Sequence, residues 1–255
     1  YQPIAAAVSR AVLADLPAKE SLTSPSSVIA SEARQSRMTA LAMPSGSPRR
    51  FAPRDDGVNQ HFRDATSSCL DAGCGEGYYL RQLAAAVPDE QTLALLGLDI
   101  SKWAVLSAAK QDSRPSWVVG SNAKLPALSG TLDRVLCMFG FPVYAEFARV
   151  LRRGGLLVQV DSGPNHLRQL REIIYPSLKP ERSAETPTPA GFSRLPTETL
   201  RFSIDLTSAE QIADLLAMTP HLFRASAEGR AQAAALTALS LRVEVRLTCF
   251  ERGPG

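Results

Sequence analysis

Hydrophobic positions recur with two periods along this chain. Ile4, Val8, Val12 and Leu16 fall four apart, with Leu13 beside them and alanines between. That pattern predicts a helix over residues 1–18, ended by Pro17. From residue 68 onward, short apolar runs alternate with helical patterns. Cys69-Leu70-Asp71, Leu93–Asp99, Trp117–Gly120, Leu132–Met138 and Leu156–Asp161 read as strands. Tyr78–Val87, Lys102–Lys110, Ala145–Leu151 and Asn165–Tyr175 read as helices between or after them. Strands separated by helices predict a mainly parallel sheet with helices on both faces. Residues 176–199 read as a loop, Arg201–Leu206 as a strand and Ser208–Ala217 as a helix. Leu241, Val243, Val245, Leu247 and Cys249 alternate with polar neighbours, which predicts an antiparallel strand at or near the sheet edge. The fold class expected is therefore α/β, with a sheet of seven strands.

Residues 21–66 lose this order, apart from a short helical pattern near Val28–Met38. SLTSPSS and MPSGSPRRFAPRDDG are rich in Ser, Pro, Arg and Gly. Such a long structureless stretch inside a compact domain reads as an exposed, mobile insertion. It resembles the translation of a dispersed repeat element. The domain boundaries expected are residues 1–20 for the first helix, 21–66 for the insertion and 67–255 for the main domain. A basic arm contacting RNA is the functional alternative for the insertion. Acidic residues (Glu32, Asp55, Asp56, Asp64) interspersed among its arginines favour a solvated segment.

Composition narrows the class without naming an activity. The 255 residues are 45% hydrophobic and 21% charged, which excludes a disordered or collagen-like chain. The net charge of +3 permits a nucleic-acid partner but does not argue for one, because phosphate affinity needs clustered charge. The 4 cysteines form no C-x-x-C pair, so no metal site is expected and reduced thiols in the cytoplasm are the default. No apolar run is long enough to span a membrane, and no signal peptide is expected. The sequence begins at Tyr1 rather than at Met, so a segment upstream is expected.

The chemistry concentrates in Leu70-Asp71-Ala72-Gly73-Cys74-Gly75-Glu76-Gly77-Tyr78-Tyr79, between a strand and a helix. Gly73, Gly75 and Gly77 allow a tight turn and a close approach of ligand to backbone. Asp99, at the end of the next strand, can accept hydrogen bonds from both hydroxyls of a ribose. The spacing D-x-G-x-G-x-G differs from the dinucleotide fingerprint, and no P-loop is present. Asp71 would repel a pyrophosphate and would attract a positively charged amino-acid moiety. That charge logic selects S-adenosylmethionine over NAD. The bland alternative is a strand-to-helix corner whose glycines serve the backbone alone.

The glycine motif, LGLDIS at 97–101 and EFARVLRRGG at 146–155 resemble the class I S-adenosylmethionine-dependent methyltransferase fold. Tyr1-Gln2-Pro3-Ile4, DAGCGEGYY, GLDISKWAV, GPNHLRQLREIIY at 163–175 and MTPHLFRA at 218–225 resemble the RlmA family of bacterial 23S rRNA guanine-N1-methyltransferases. The resemblance implies cofactor contacts at Tyr1, Gly75, Glu76 and His166. It places Asn122 and Ala123 in the loop that borders the adenine, and Phe139-Gly140-Phe141 in the segment after the fourth strand, beside the substrate base. Two departures stand out there and upstream: the proline of that segment is displaced to Pro142, and the cysteine-rich zinc module that precedes the tyrosine in the family is not in this sequence.

Methyl transfer from a sulfonium needs alignment of two reactants, and a guanine N1 must also lose its proton. Asp161, His166 and Tyr175 are candidates for the base, and none is singled out. His221 and Cys74 read as loop residues, and Trp103 and Trp117 as packing residues. The activity implied is methylation of a guanine in 23S rRNA with S-adenosylmethionine as cofactor; the oligomeric state stays open, a homodimer included. Two alternatives remain: a small-molecule methyltransferase of the same fold, and an inactive protein that binds cofactor or RNA.

Overall fold

The computed structural model describes residues 2–14, 16, 67–88, 92–178, 187–219 and 221–253. The expectations for residues 21–66 and for Tyr1 lie outside them. The described elements are α1 (Gln2–Leu13), β1 (Ser67–Ala72), α2 (Tyr78–Ala86), β2 (Leu93–Asp99), α3 (Lys102–Gln111), β3 (Ser116–Val119), β4 (Leu132–Met138) and α4 (Tyr144–Val150). They continue with β5 (Leu151–Ser162), α5 (Arg168–Ile174), β6 (Phe192–Arg194), β7 (Glu198–Leu206), α6 (Ala209–Ala217), α7 (His221–Arg224), α8 (Ala227–Ala234) and β8 (Leu239–Arg252). Two compact units emerge: Tyr1–Val158 with Thr188–Leu195 and Cys249–Gly255, and Gln159–Pro187 with Pro196–Thr248.

The first unit is the α/β half. Its strands run in the order β3-β2-β1-β4-β5, and β6 pairs antiparallel with the last residues of β8, Phe192 against Arg252 to Arg194 against Phe250. β1 pairs in parallel with β2 and with β4, and β2 pairs in parallel with β3. Every residue of β1 is buried, and all of β2 up to its last residue. Continuous apolar runs of this kind suit strands covered on both faces. The core is built from Leu70, Leu96, Leu98, Val135, Phe147 and Leu157, among others. Arg134 in β4 is buried and donates to the carbonyls of Val12 at 3.2 Å and Ala14 at 2.9 Å. A guanidinium thus satisfies carbonyls that the end of α1 leaves without helical partners.

In the second unit, β7 pairs antiparallel with the outer half of β8, from Glu198 against Leu247 to Leu206 against Leu239. Helices α5 to α8 belong to the same unit. The alternation along β8 puts Leu241, Val243, Val245 and Leu247 inside, as its period-two pattern requires.

Eight strands are present among the described residues, where the periodicity suggests seven. The addition is β6, three residues inside a Pro- and Thr-rich stretch, too short to leave a periodic signal. Helices α7 and α8 are likewise short. Gly154 and Gly155 lie within β5 rather than before it, and α1 stops at Leu13 rather than reaching Pro17. Among the described residues, no helix is long and apolar enough to cross a membrane.

Candidate cofactor site

The turn between β1 and α2 is fastened to the end of β2. The amides of Gly73 and Cys74 both donate to the Leu98 carbonyl, at 2.8 and 3.0 Å, and Gly77 donates to the Cys74 carbonyl at 2.8 Å. Gly73, Gly75 and Gly77 all have positive φ, at 96°, 53° and 76°. A Cβ at Gly73 or Gly75 would meet nothing within 4 Å. The loop therefore borders open space on the side where a ligand would lie against its backbone.

Its other side is closed. A Cβ at Gly77 or Gly97 would fall 2.2 Å and 2.4 Å from ring carbons of Trp117. The indole is itself anchored by its N–H, which donates to the Asp112 carbonyl at 2.8 Å. Trp117 is a packing residue, as its sequence context suggests, and what it packs is the back of the glycine turn.

Asp99 organises the rim. Its Oδ2 accepts from the Gly75 amide at 2.9 Å and its Oδ1 from the Ser101 amide at 2.8 Å. Each carboxylate oxygen keeps a second lone pair, so ribose hydroxyls can still be accepted. Glu76 is turned toward α3, where its Oε2 accepts from Ser107 at 3.1 Å, and its carbonyl accepts from Arg81. Asn122 reaches the carbonyl of Ala72 at 3.4 Å and that of Phe141 at 3.5 Å, linking the ends of β1 and β4. Ala123 follows in the same loop, its amide donating to Ser121 Oγ at 3.2 Å.

Asp71 sets the electrostatics. It is buried, and neither carboxylate oxygen has a hydrogen-bond partner among the described residues. Burial, and then the negative charge of Asp99, push its carboxyl up to about 7. An unpaired buried carboxylate is costly, and an arriving ammonium group would relieve that cost. The residues present thus fit S-adenosylmethionine, whose methionyl end carries such a cation. The same burial, with Asp71 and Asp99 nearby, pushes the Cys74 thiol far up, so it stays protonated and is no nucleophile.

Beyond β4, Phe139 takes φ of 53°, and Phe141 is 89% exposed. A bulky residue held in the left-handed region marks a place where the surroundings override local preference. Ile100, directly after Asp99, and Trp103 are both 79% exposed, so the reading of Trp103 as a packing residue fails, and Ile100 was not singled out in the sequence. The available signal was a large apolar residue immediately after an acid at a strand end.

His166 belongs to the second unit. It is buried in the Gly163–Leu167 turn, its amide donating to the Gly163 carbonyl at 3.1 Å. Burial lowers its basicity, partly offset by a hydrogen bond to the Glu244 backbone. In the same unit Tyr175 Oη lies 2.8 Å from His221 Nδ1, a pairing the sequence reading missed because the partners are 46 positions apart.

The family described as a methyltransferase domain matches residues 69–155, from β1 through the glycine turn and Asp99 into β5. A Bacillus subtilis (strain 168) protein provisionally named 23S rRNA (guanine-N(1)-)-methyltransferase YxjB is 35% identical over 106 residues, 42% of this chain and 38% of that protein. A Micromonospora griseorubida protein with the same provisional activity name is 32% identical over 182 residues, 68% of this chain and 58% of that one. A malonyl-[acyl-carrier protein] O-methyltransferase of Laribacter hongkongensis (strain HLHK9) is 33% identical over 132 residues, 44% of this chain and 43% of that one. The chain spans between 38% and 58% of the length of these relatives. Domain match and strand order agree: this is the class I methyltransferase fold, and S-adenosylmethionine is its cofactor.

Proposed function

We propose that the chain is a S-adenosylmethionine-dependent methyltransferase acting on N1 of a guanine in 23S rRNA, a cytoplasmic role. The observation that carries the reading is the buried, unpartnered Asp71 carboxylate beside an open glycine turn. Similarity to two proteins provisionally named for this activity supports the acceptor.

The bound cofactor would supply an electrophilic methyl group on a sulfonium sulfur. Asp71 holds the ammonium of the methionyl end. Asp99, oriented by the Gly75 and Ser101 amides, accepts from the ribose hydroxyls. Gly73, Gly75 and Gly77 let the backbone lie close to the ligand, and Asn122 and Ala123 border the adenine. Phe139 and Phe141 present rings on which an extruded purine can stack. Alignment, more than proton chemistry, is what these residues contribute.

The test begins with calorimetric titration of the chain with S-adenosylmethionine, using NAD as control. Transfer of labelled methyl to a 23S rRNA fragment follows. N1 lies on the pairing edge of guanine, so its methylation blocks base pairing and maps as a reverse-transcription stop. Cofactor binding without such a stop refutes the guanine assignment. The similarity to a malonyl-[acyl-carrier protein] O-methyltransferase favours a second acceptor, a carboxylate oxygen, so the acyl-carrier ester is assayed in parallel. Binding without transfer to either acceptor marks an inactive protein.

A further inference from the structure

Two short helices of the second unit bring a group of cations together. Arg171 and Tyr175 lie four residues apart at the end of α5, and the Tyr175 amide donates to the Arg171 carbonyl at 3.1 Å. Residues at that spacing share one helix face. His221 and Arg224 lie three apart on α7 and share a face in the same way. The Tyr175 Oη to His221 Nδ1 contact, 2.8 Å long, joins the two faces. The ring centroids are 5.7 Å apart and meet edge to face.

The partners of each group leave a donor-rich surface. Arg171 is held in place by Nη1, which donates to the Pro164 carbonyl at 2.8 Å. Arg224 is exposed. In the tautomer where Tyr175 donates to Nδ1, the imidazole proton of His221 sits on Nε2, where a ligand can accept it. Burial first, and then the cationic Arg171 and Arg224, lower the basicity of His221. His166 stands in the same neighbourhood and feels both His221 and Arg171. Among the described residues, Glu172 pairs with Arg168 at 2.8 Å and Glu244 with Arg201 at 2.9 Å, while Glu228 and Arg230 lie on α8, which packs on α5 through Gly229 against Ile174.

We propose that Arg171, His221 and Arg224 form an anion site whose ligand is a backbone phosphate of the RNA that carries the target guanine. The ligand assignment rests on the acceptor reading above; the site itself does not. Guanidinium groups suit phosphate because their planar donors match its oxygens. Tyr175 is a positioning residue, fixing the tautomer and the orientation of His221. Phosphate contacts of this kind set the register of an RNA without reading its sequence.

The test uses the full chain with labelled histidine, followed by NMR, since the sequence has only 3 histidines to assign. Inorganic phosphate at millimolar concentration should displace the His221 titration toward higher pH, because a bound anion favours the imidazolium. Arg224→Gln, a change at an exposed position, should abolish that displacement. Tyr175→Phe should weaken it while Arg171 and Arg224 remain. A single-stranded oligonucleotide should compete with phosphate, and Arg224→Gln should lower the salt dependence of its affinity by about one phosphate contact. A His221 titration indifferent to phosphate overturns the site, even if 23S rRNA is methylated. Displacement by phosphate but not by oligonucleotide overturns RNA as its ligand. Methylation of rRNA by the unmodified protein, read separately, shows whether the acceptor reading itself stands.

Discussion

Two buried carboxylates among the described residues meet opposite fates. Asp71, in the first unit, has no partner and is pushed up to about 7 by burial and by Asp99. Glu244, in the second, is also buried and also pushed upward by burial, but hydrogen bonds from Arg201 and Asn165 outweigh that effect and hold it below its ordinary range. Arg201 donates to Glu244 at 2.9 Å and the Asn165 amide at 3.5 Å, while Gly163 packs so close that a Cβ there would fall 2.6 Å from Oε1. Loss of solvent contact alone therefore does not decide a carboxylate's purpose. A satisfied carboxylate supports its own fold, whereas an unsatisfied one, once ionised, carries a cost that a proton or a cationic ligand removes.

The sharpest way to break this contrast is at the turn itself. Gly75→Arg fills the open space of the cradle at a positive-φ position and should eliminate the calorimetric signal for S-adenosylmethionine while the chain stays folded. Undiminished binding would remove the turn from the site. Next, Asp71→Asn should weaken cofactor binding roughly 100-fold, the loss of about 2–3 kcal/mol from a buried charged contact. The same change should raise the thermal midpoint without ligand. Glu244→Ala should do the reverse, lowering stability by about 1–3 kcal/mol. If both variants lose stability alike, the two carboxylates do not differ in kind.

A smaller effect distinguishes them by pH. The Asp71 carboxyl rises from 3.8 to about 7 on folding, so the folded state holds its proton longer. Asp71 therefore costs stability progressively as pH climbs across that interval, a loss that Asp71→Asn should remove in melts. Glu244 has the opposite sign: its contribution is present above the ordinary glutamate value and fades as pH falls through its lowered one. Cofactor affinity should drop by up to about tenfold for each pH unit below the Asp71 value, with a proton released on binding, and Asp71→Asn should flatten that profile. The smallest effect is expected of Trp117→Phe. It deletes the bond to the Asp112 carbonyl and should cost about 1 kcal/mol of stability in a denaturant titration.

What was legible in the sequence follows from the range of each cause. β1, β2 and β4 appear as apolar runs because burial on both faces is written in consecutive residues. Gly73, Gly75, Gly77 and Asp99 are visible because a turn and a strand end need particular residue types at short spacing. Asp71 could be read as a ligand for a cation, but its unpaired state could not, since the absence of a partner is a property of the packed fold. The Tyr175 and His221 contact and the clasp on Glu244 escape for a related reason. Each joins segments 43 or more positions apart in the chain, and no local pattern records such a meeting. β6 and α7 are too brief to show a period at all.

Trp117 touches the fate of more than its own position. One indole covers both Gly77 and Gly97, on different segments of the chain. Neither glycine can acquire a side chain while that ring stays, and the ring cannot shrink without leaving both uncovered. The three positions must therefore be inherited as a set. A lineage exploring new cofactor geometries would have to shrink the tryptophan first and pass through a less stable intermediate before either glycine could change.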